Sequence, residues 1–273
     1  MALTTDRSGA FRRLHQSGCF VIPNPWDVGS ACLLAQLGFQ ALATTSSGFA
    51  WSLGRPDHNH VSLNEALTHF RSIAESVDVP VNADFEDGLA IEPAGVGANV
   101  AAATTTGIAG LSIEDSTGDP SNPLFEFTLA VERIQAARRA IDESGTGVLL
   151  TGRSEGFIVG RPDLKETIRR LIAYSDAGSD CLFAPGIRSI PDIAAVVRAV
   201  APKPLNVLVG GDFATVAQLA DAGVRRISVG GALARVAWTG FLQAANEIAQ
   251  QGTFTNLGRA LSFPEVNGLF DRK

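Results

Sequence analysis

The chain has 273 residues, 45% of them hydrophobic and 18% charged, with a net charge of −6 and a pI near 5.2. An acidic balance with 22 basic residues in no strong run excludes a non-specific nucleic-acid binder and favours a small metabolite as partner. Three cysteines (Cys19, Cys32, Cys181) without a CxxC spacing exclude a disulfide framework or a zinc cluster. They fit a reducing compartment.

Met1 to Arg13 mixes charge and polarity with no apolar run of signal-peptide length, so a cytoplasmic location is expected. From there, apolar β-rich runs alternate with longer amphipathic segments eight times. Strands are predicted at Phe20–Pro23, Ala41–Thr45, Val81–Phe85, Gly110–Ile113, Gly147–Thr151, Cys181–Ala184, Leu205–Val209 and Arg226–Val229. Helices are predicted at Leu63–Ser76, Leu129–Glu143, Asp163–Ala177, Pro191–Val200, Phe213–Ala222 and Ala232–Gln250. The uncharged stretch from Pro93 to Ile113 is long enough to cross a bilayer, but its glycines, threonines and Asn99 make it a buried helix followed by a strand, with no membrane partner. Ser62 and Asp212 read as helix N-caps, and Gly38, Gly178 and Gly223 as left-handed C-caps. The rhythm favours a closed (β/α)8 barrel over an open doubly wound sheet. It is read as a single domain over 1–273 with a C-terminal helical extension from about 251.

Val81-Asn82-Ala83-Asp84-Phe85-Glu86-Asp87-Gly88 ends an apolar strand in carboxylates. Asp84 and Glu86, two apart, share one face of an extended chain. Thirty residues after Asp84, the strand ending Ile113-Glu114-Asp115 repeats the design. Acids delivered by two strands to one end build an oxygen-rich site for a hard cation such as Mg2+, because like charges crowd at high cost without one. In a barrel such a site lies where strands end. The second strand brings Thr44-Thr45-Ser46-Ser47-Gly48, read as a hydroxyl-rich turn whose N–H groups hold a carboxylate or enolate oxygen, or else as a plain capped turn. The loop beyond it carries Asp57, and the fifth strand ends in Arg153, suited to a bidentate carboxylate contact. The competing reading of these acids is loop N-caps and surface salt bridges. His15, His58, His60 and His69 have no ligand or dyad spacing and are expected to face solvent. No GxxxxGK[ST], GxGxxG or GxSxG motif is present.

Asn24-Pro25-Trp26-Asp27, the Ser46-Ser47-Gly48 turn with Gly54-x-x-Asp57, Asp84-Phe85-Glu86-Asp87-Gly88, Ile113-Glu114-Asp115 and Gly152-Arg153-Ser154-Glu155 together resemble the isocitrate lyase / phosphoenolpyruvate mutase superfamily, from about Phe20 to Ala234. The resemblance implies a (β/α)8 barrel whose eighth helix is exchanged between subunits in a homodimer or homotetramer. It implies Mg2+, with Mn2+ as an alternative ion, held by Asp57, Asp84, Glu86 and Glu114. It implies a small 2-oxo acid or dicarboxylate substrate bound by Trp26, Ser46, Ser47, Gly48, Asp84, Arg153 and Asn206, with Arg153, Glu114 and Asn122 as catalytic groups. The implied activity is a lyase that cleaves a C–C bond through a metal-stabilised enolate. The alternatives are P–C cleavage, oxaloacetate decarboxylation, or a 2-oxo acid binding protein without turnover. The chain departs from the pattern in several places. The loop Asp115–Leu124 lacks the Lys-Lys/Arg-Cys-Gly-His of the lyases and keeps only Asn122 of the Lys-x-Asn of the mutase branch. Ala184-Pro185-Gly186 stands where the lyases end a strand in glutamate. The second acid of the metal motif, commonly Asp, is Glu86.

Overall fold

Eight parallel strands line the centre of the molecule, a computed structural model that describes residues 6–271. They are β1 (Phe20–Ile22), β2 (Leu42–Ala43), β3 (Val81–Asp84), β4 (Gly110–Glu114), β5 (Leu149–Arg153), β6 (Cys181–Phe183), β7 (Leu205–Leu208) and β8 (Arg226–Ser228). Hydrogen bonds run in the order β1-β8-β7-β6-β5-β4-β3-β2, and the ring closes where the Ala43 N–H donates to the Pro23 carbonyl at 3.0 Å. This is the expected (β/α)8 barrel. Its strands are buried on both faces, which is why they read as continuous apolar runs rather than as alternations.

Helix α1 (Arg7–Leu14) precedes the barrel and α2 (Val28–Gln36) follows β1. After β2 come α3 (Ser46–Ser52) and α4 (Leu63–Ser76), and after β3 to β7 in turn α5 (Pro93–Thr104), α6 (Phe127–Ser144), α7 (Leu164–Asp176), α8 (Ile190–Val200) and α9 (Val216–Asp221). Helix α10 (Ala232–Gln251) follows β8, and a 3-10 turn (Thr255–Arg259) and α11 (Phe263–Gly268) complete the described chain. Among the described residues no helix is long and apolar enough to cross a membrane. Ser62 caps α4 in a reciprocal box with Glu65, and Gly38, Gly178 and Gly223 take positive φ after their helices, as predicted. The cap of α9 is Thr215 rather than Asp212, because Gln218 returns the bond to the Thr215 N–H at 2.9 Å.

The expected turn at Ser46-Ser47-Gly48 is instead the first turn of α3, with the Thr45 hydroxyl accepting from the Gly48 N–H. Strand β2 is correspondingly short. Beyond Ala43 the Thr44 N–H still donates to the Asn82 carbonyl at 2.9 Å, but the Thr44 carbonyl accepts from the Asn24 side chain and its hydroxyl from the Asp84 N–H at 2.8 Å.

Helix α1 stoppers the lower mouth of the barrel. Phe11 is fully buried among Phe20, Ile22, Ala41, Ala109 and Leu149, with His15 edge-on to Phe11 and Phe20. A Cβ at Gly110 would stand 2.7 Å from the Phe11 ring and 2.8 Å from the Asn82 side-chain oxygen, so the stopper requires glycine there. His15 and His69, expected at the surface, are both buried. The His15 Nδ1–H donates to the Phe11 carbonyl at 2.8 Å, and His69 stacks on Phe49 with ring centroids 3.9 Å apart. Burial lowers both imidazoles, to a pKa of about 3 for His15 and about 4 for His69, so both are neutral at physiological pH.

Candidate active site

A cleft of about 190 Å³ opens at the carboxyl ends of the strands, where barrel enzymes hold their substrates. Ser46, Ser47, Asp57, Asp84, Arg153 and Asn206 line it, so six of the predicted residues, from four different chain segments, converge. Asp84 ends β3 with one carboxylate oxygen accepting the Ser46 N–H at 3.0 Å and the other facing Arg153 Nη1 at 3.2 Å. Arg153 Nη1 also meets Glu114 Oε2 at 3.0 Å, while its Nε donates to Glu155, and the guanidinium lies 5.2 Å from the centre of the Phe183 ring.

One arginine thus faces three acids. Burial alone would lower the Arg153 pKa, but Glu114, Glu155 and Asp84 outweigh it and hold it well above the usual value. Burial pushes the Glu114 carboxyl far up and the Glu155 carboxyl up, because a single guanidinium cannot offset the whole group. Glu155 Oε2 is buried with no partner. Sequence reading missed Glu155 as a member of this cluster. Its position two residues after Arg153, the spacing of one face of an extended chain, was the available signal in the sequence.

Several predicted residues stand elsewhere. Glu86 does not share a face with Asp84: β3 ends at Asp84 and Glu86 has φ of 48°, so the alternation expected of a strand is lost. Its carboxylate accepts the Asn59 N–H at 2.7 Å, and burial, with Asp84, Asp57 and Asp87 adding to it, raises its pKa to about 7. Glu114 reaches the cleft only through Arg153. Gly48 is buried inside α3, where a Cβ would stand 2.7 Å from the Thr45 methyl and 2.8 Å from the Trp26 Cβ, so its role is close packing. Trp26 borders a separate groove with Asp27, Phe49 and His69. Asn122 is exposed in the β4–α6 loop and away from the cleft. That loop is folded on itself, with the Thr117 hydroxyl donating to the Asn122 carbonyl at 2.6 Å and the Asn122 N–H to the Asp119 carbonyl at 3.1 Å. Asp87 and Asp115, the neighbours of the two acid motifs, turn inward. Asp115 accepts from Tyr174, Arg170 and the Glu155 N–H in a buried network that fixes the end of β5.

The donor chemistry suits Mg2+. The rim offers only oxygen ligands, and its carboxylates exceed the single cation among them. Among the described residues no three acid, histidine or cysteine side chains stand together as a ready ligand set. An ion here would be held by Asp84, with Asp57 beside it and water and substrate oxygens completing the shell, in keeping with the reluctance of Mg2+ to shed water. Also missed by sequence reading, and lining the cleft, are Asn24, Asn82, Ser112, Arg226 and Ser228.

The model of the phosphoenolpyruvate phosphomutase family matches residues 11–249, which include every element of this cleft. The chain belongs to the phosphoenolpyruvate mutase / isocitrate lyase family. A protein from Burkholderia cenocepacia, provisionally assigned as a lyase or mutase, superposes with a TM-score of 0.94 at 44% identity over 100% of this chain and 98% of that one. The crystal structure of 2,3-dimethylmalate lyase, from the same superfamily, superposes with a TM-score of 0.86 at 25% identity over 97% and 94%. Oxaloacetate decarboxylase of Bradyrhizobium diazoefficiens is 28% identical over 220 residues, 76% of this chain and 75% of that protein. Family members of this kind are lyases and mutases, and the chain is an enzyme of that type.

Proposed function

We propose that this enzyme is a Mg2+-dependent lyase that breaks a C–C bond of a small 2-oxo or 2-hydroxy acid in the cleft between Asp84 and Arg226. The observation that carries the reading is the rim, where Asp84, Glu114 and Glu155 crowd a single arginine. Such a rim calls for a second cation. When bound, Mg2+ would polarise the 2-oxo group and offset the negative charge left on the substrate when the bond breaks. The chain's own groups do the rest. The Ser46 N–H orients Asp84, the hydroxyls of Thr45 and Ser47, 3.0 Å apart, border the cleft, and Asn206 presents a fixed amide held by Arg226 at 2.9 Å and Ser228 at 2.9 Å.

A decarboxylation, such as that of oxaloacetate, is the form of this chemistry the lining favours. It contains no cysteine, histidine or lysine. Cleavage of a 2-hydroxy acid needs a base to take the hydroxyl proton, and Asp84 is committed to the Ser46 N–H and Arg153 and Asp57 to the ion, whereas loss of CO2 from a carboxyl β to the oxo group, as in oxaloacetate, needs none. Steady-state assays with Mg2+ on oxaloacetate, other 2-oxo acids, 2-hydroxy tricarboxylates and phosphonates test the reading. CO2 release from oxaloacetate is the expected result. Turnover of phosphonates alone would replace the C–C reading by P–C cleavage, and Mg2+-dependent binding without turnover on any substrate would make the protein a binding module.

The assembly belongs to the same proposal. Helix α10 and the residues after it expose Val236, Phe241, Leu242, Phe254, Leu261 and Phe263, the last at 79% of its surface. A second copy of the chain would cover so large an apolar face, as exchange of the eighth helix requires. Light scattering is expected to give a dimer or tetramer, and a monomer at micromolar concentration would reject the exchange.

A further inference from the structure

Charge is balanced very differently at the two depths of the cleft. At the rim Arg153 is outnumbered by carboxylates. Below it, Arg226 projects from the first residue of β8 into the barrel with 3% of its surface exposed and lines the same cleft. Its Nε donates to Asn206 Oδ1 at 2.9 Å, its Nη2 to Thr151 Oγ1 at 3.0 Å and its Nη1 to His15 Nε2 at 3.3 Å. All three acceptors are neutral. Burial and the neighbouring Arg226 keep His15 neutral, and with its Nδ1–H given to the Phe11 carbonyl, Nε2 is left as an acceptor. The other buried arginines are differently provided: Arg170 pairs with Asp115 and Glu166, and Arg133 is turned into the backbone carbonyls of Asp87, Ala90 and Ile91. Burial lowers the Arg226 pKa, and no carboxylate opposes that effect.

Burying a guanidinium without an anion is costly, and three of its five N–H groups are used. A second observation at the same depth is independent of it. The side-chain oxygen of Asn82, from β3 on the other side of the barrel, is buried without a partner, and Asn82 too lines the cleft. The lining of the cleft therefore holds a spare cation on β8 and a spare acceptor on β3.

We propose that the floor of the cleft is an anion subsite in which Arg226 binds a carboxylate of the ligand, separate from the metal-binding rim. The ligand class is then a short dicarboxylate, with one acidic end at the rim and the other on Arg226. Asn82 takes a hydroxyl or water hydrogen beside the lower end. The dicarboxylate assignment rests on the functional reading above, but the subsite does not.

The test uses the whole protein in EDTA with malonate as probe, so that no metal contributes. Malonate is expected to raise the melting temperature of the wild type, and Arg226→Gln is expected to weaken its binding at least tenfold, with Arg226→Lys retaining part of it. Equal malonate binding by wild type and Arg226→Gln would overturn the subsite. Because Arg226→Gln can fail to fold, wild-type crystals grown with bromide supply a second reading. An anomalous peak within hydrogen-bond distance of the Arg226 Nη atoms is expected, and water alone there would overturn the proposal. A lyase reading that fails in the Mg2+ assays leaves these metal-free results standing, so the two failures are distinguishable.

Discussion

The Asp84 carboxylate is shared between the Ser46 N–H at 3.0 Å and Arg153 Nη1 at 3.2 Å, so α3, β3 and β5 are tied together at the mouth of the barrel by one side chain. Both oxygens are already hydrogen-bonded, and an arriving ion takes over an oriented ligand rather than a free one. Asp84→Asn keeps the shape and removes the charge. It is expected to abolish Mg2+ binding by calorimetry while the melting temperature changes little. Unchanged Mg2+ affinity would place the ion elsewhere.

Arg153→Ala would leave Glu114 and Glu155 buried with no cation. Breaking a buried ion pair in this way costs about 3–5 kcal/mol, read as a loss of unfolding free energy in urea. The loss has a definite pH dependence. In the variant the stranded carboxyls are pushed higher still, so they take up protons as the pH falls and the penalty shrinks. A deficit that stays constant from neutral pH to pH 5 would contradict this account of the cluster.

His69 carries part of the acid sensitivity of the fold. Its folded pKa of about 4 lies below the unfolded value of 6.5, so the unfolded state binds a proton that the folded state refuses. Its contribution is fully present above pH 6.5 and is lost as pH falls from there towards 4, by at most about 3 kcal/mol. His69→Leu is expected to flatten the pH–stability curve in that window, measured by urea unfolding at each pH. A curve parallel to that of the wild type would show that His69 is not the group responsible.

Gly110→Ala should cost about 1–3 kcal/mol through overpacking against the Phe11 ring and the Asn82 side chain. Pairing it with Phe11→Leu removes the ring edge and should recover part of that loss. Strict additivity in the double-mutant cycle would mean that the two positions do not meet.

The eight strands were legible because each is a short apolar run between polar or glycine-marked ends, and burial on both faces leaves that signature intact. Helix α3 was not: Ser-Ser-Gly has turn chemistry, and seven residues seated on the Thr45 cap give no periodicity to read. The acids at strand ends were legible as a group, but their individual directions were not. Those depend on where β3 stops and on a positive φ at Glu86, both set by tertiary contacts with Thr44 and Asn59. Arg226 had a weak signal that went unread, a charge opening an otherwise apolar strand run, and its significance appears only when its neighbours prove to be neutral. His15 and His69 looked like surface residues because local sequence does not say which helix face a barrel will cover.

Helix α1, with Phe11 and His15 sealed against the underside of the barrel, closes the cleft from below among the described residues. If a substrate is cut into two fragments inside a chamber with one exit, the inner fragment must wait for the outer one to depart. Release is then ordered by depth: the last fragment to leave faces the empty enzyme and competes with fresh substrate, while the first out inhibits in a different pattern.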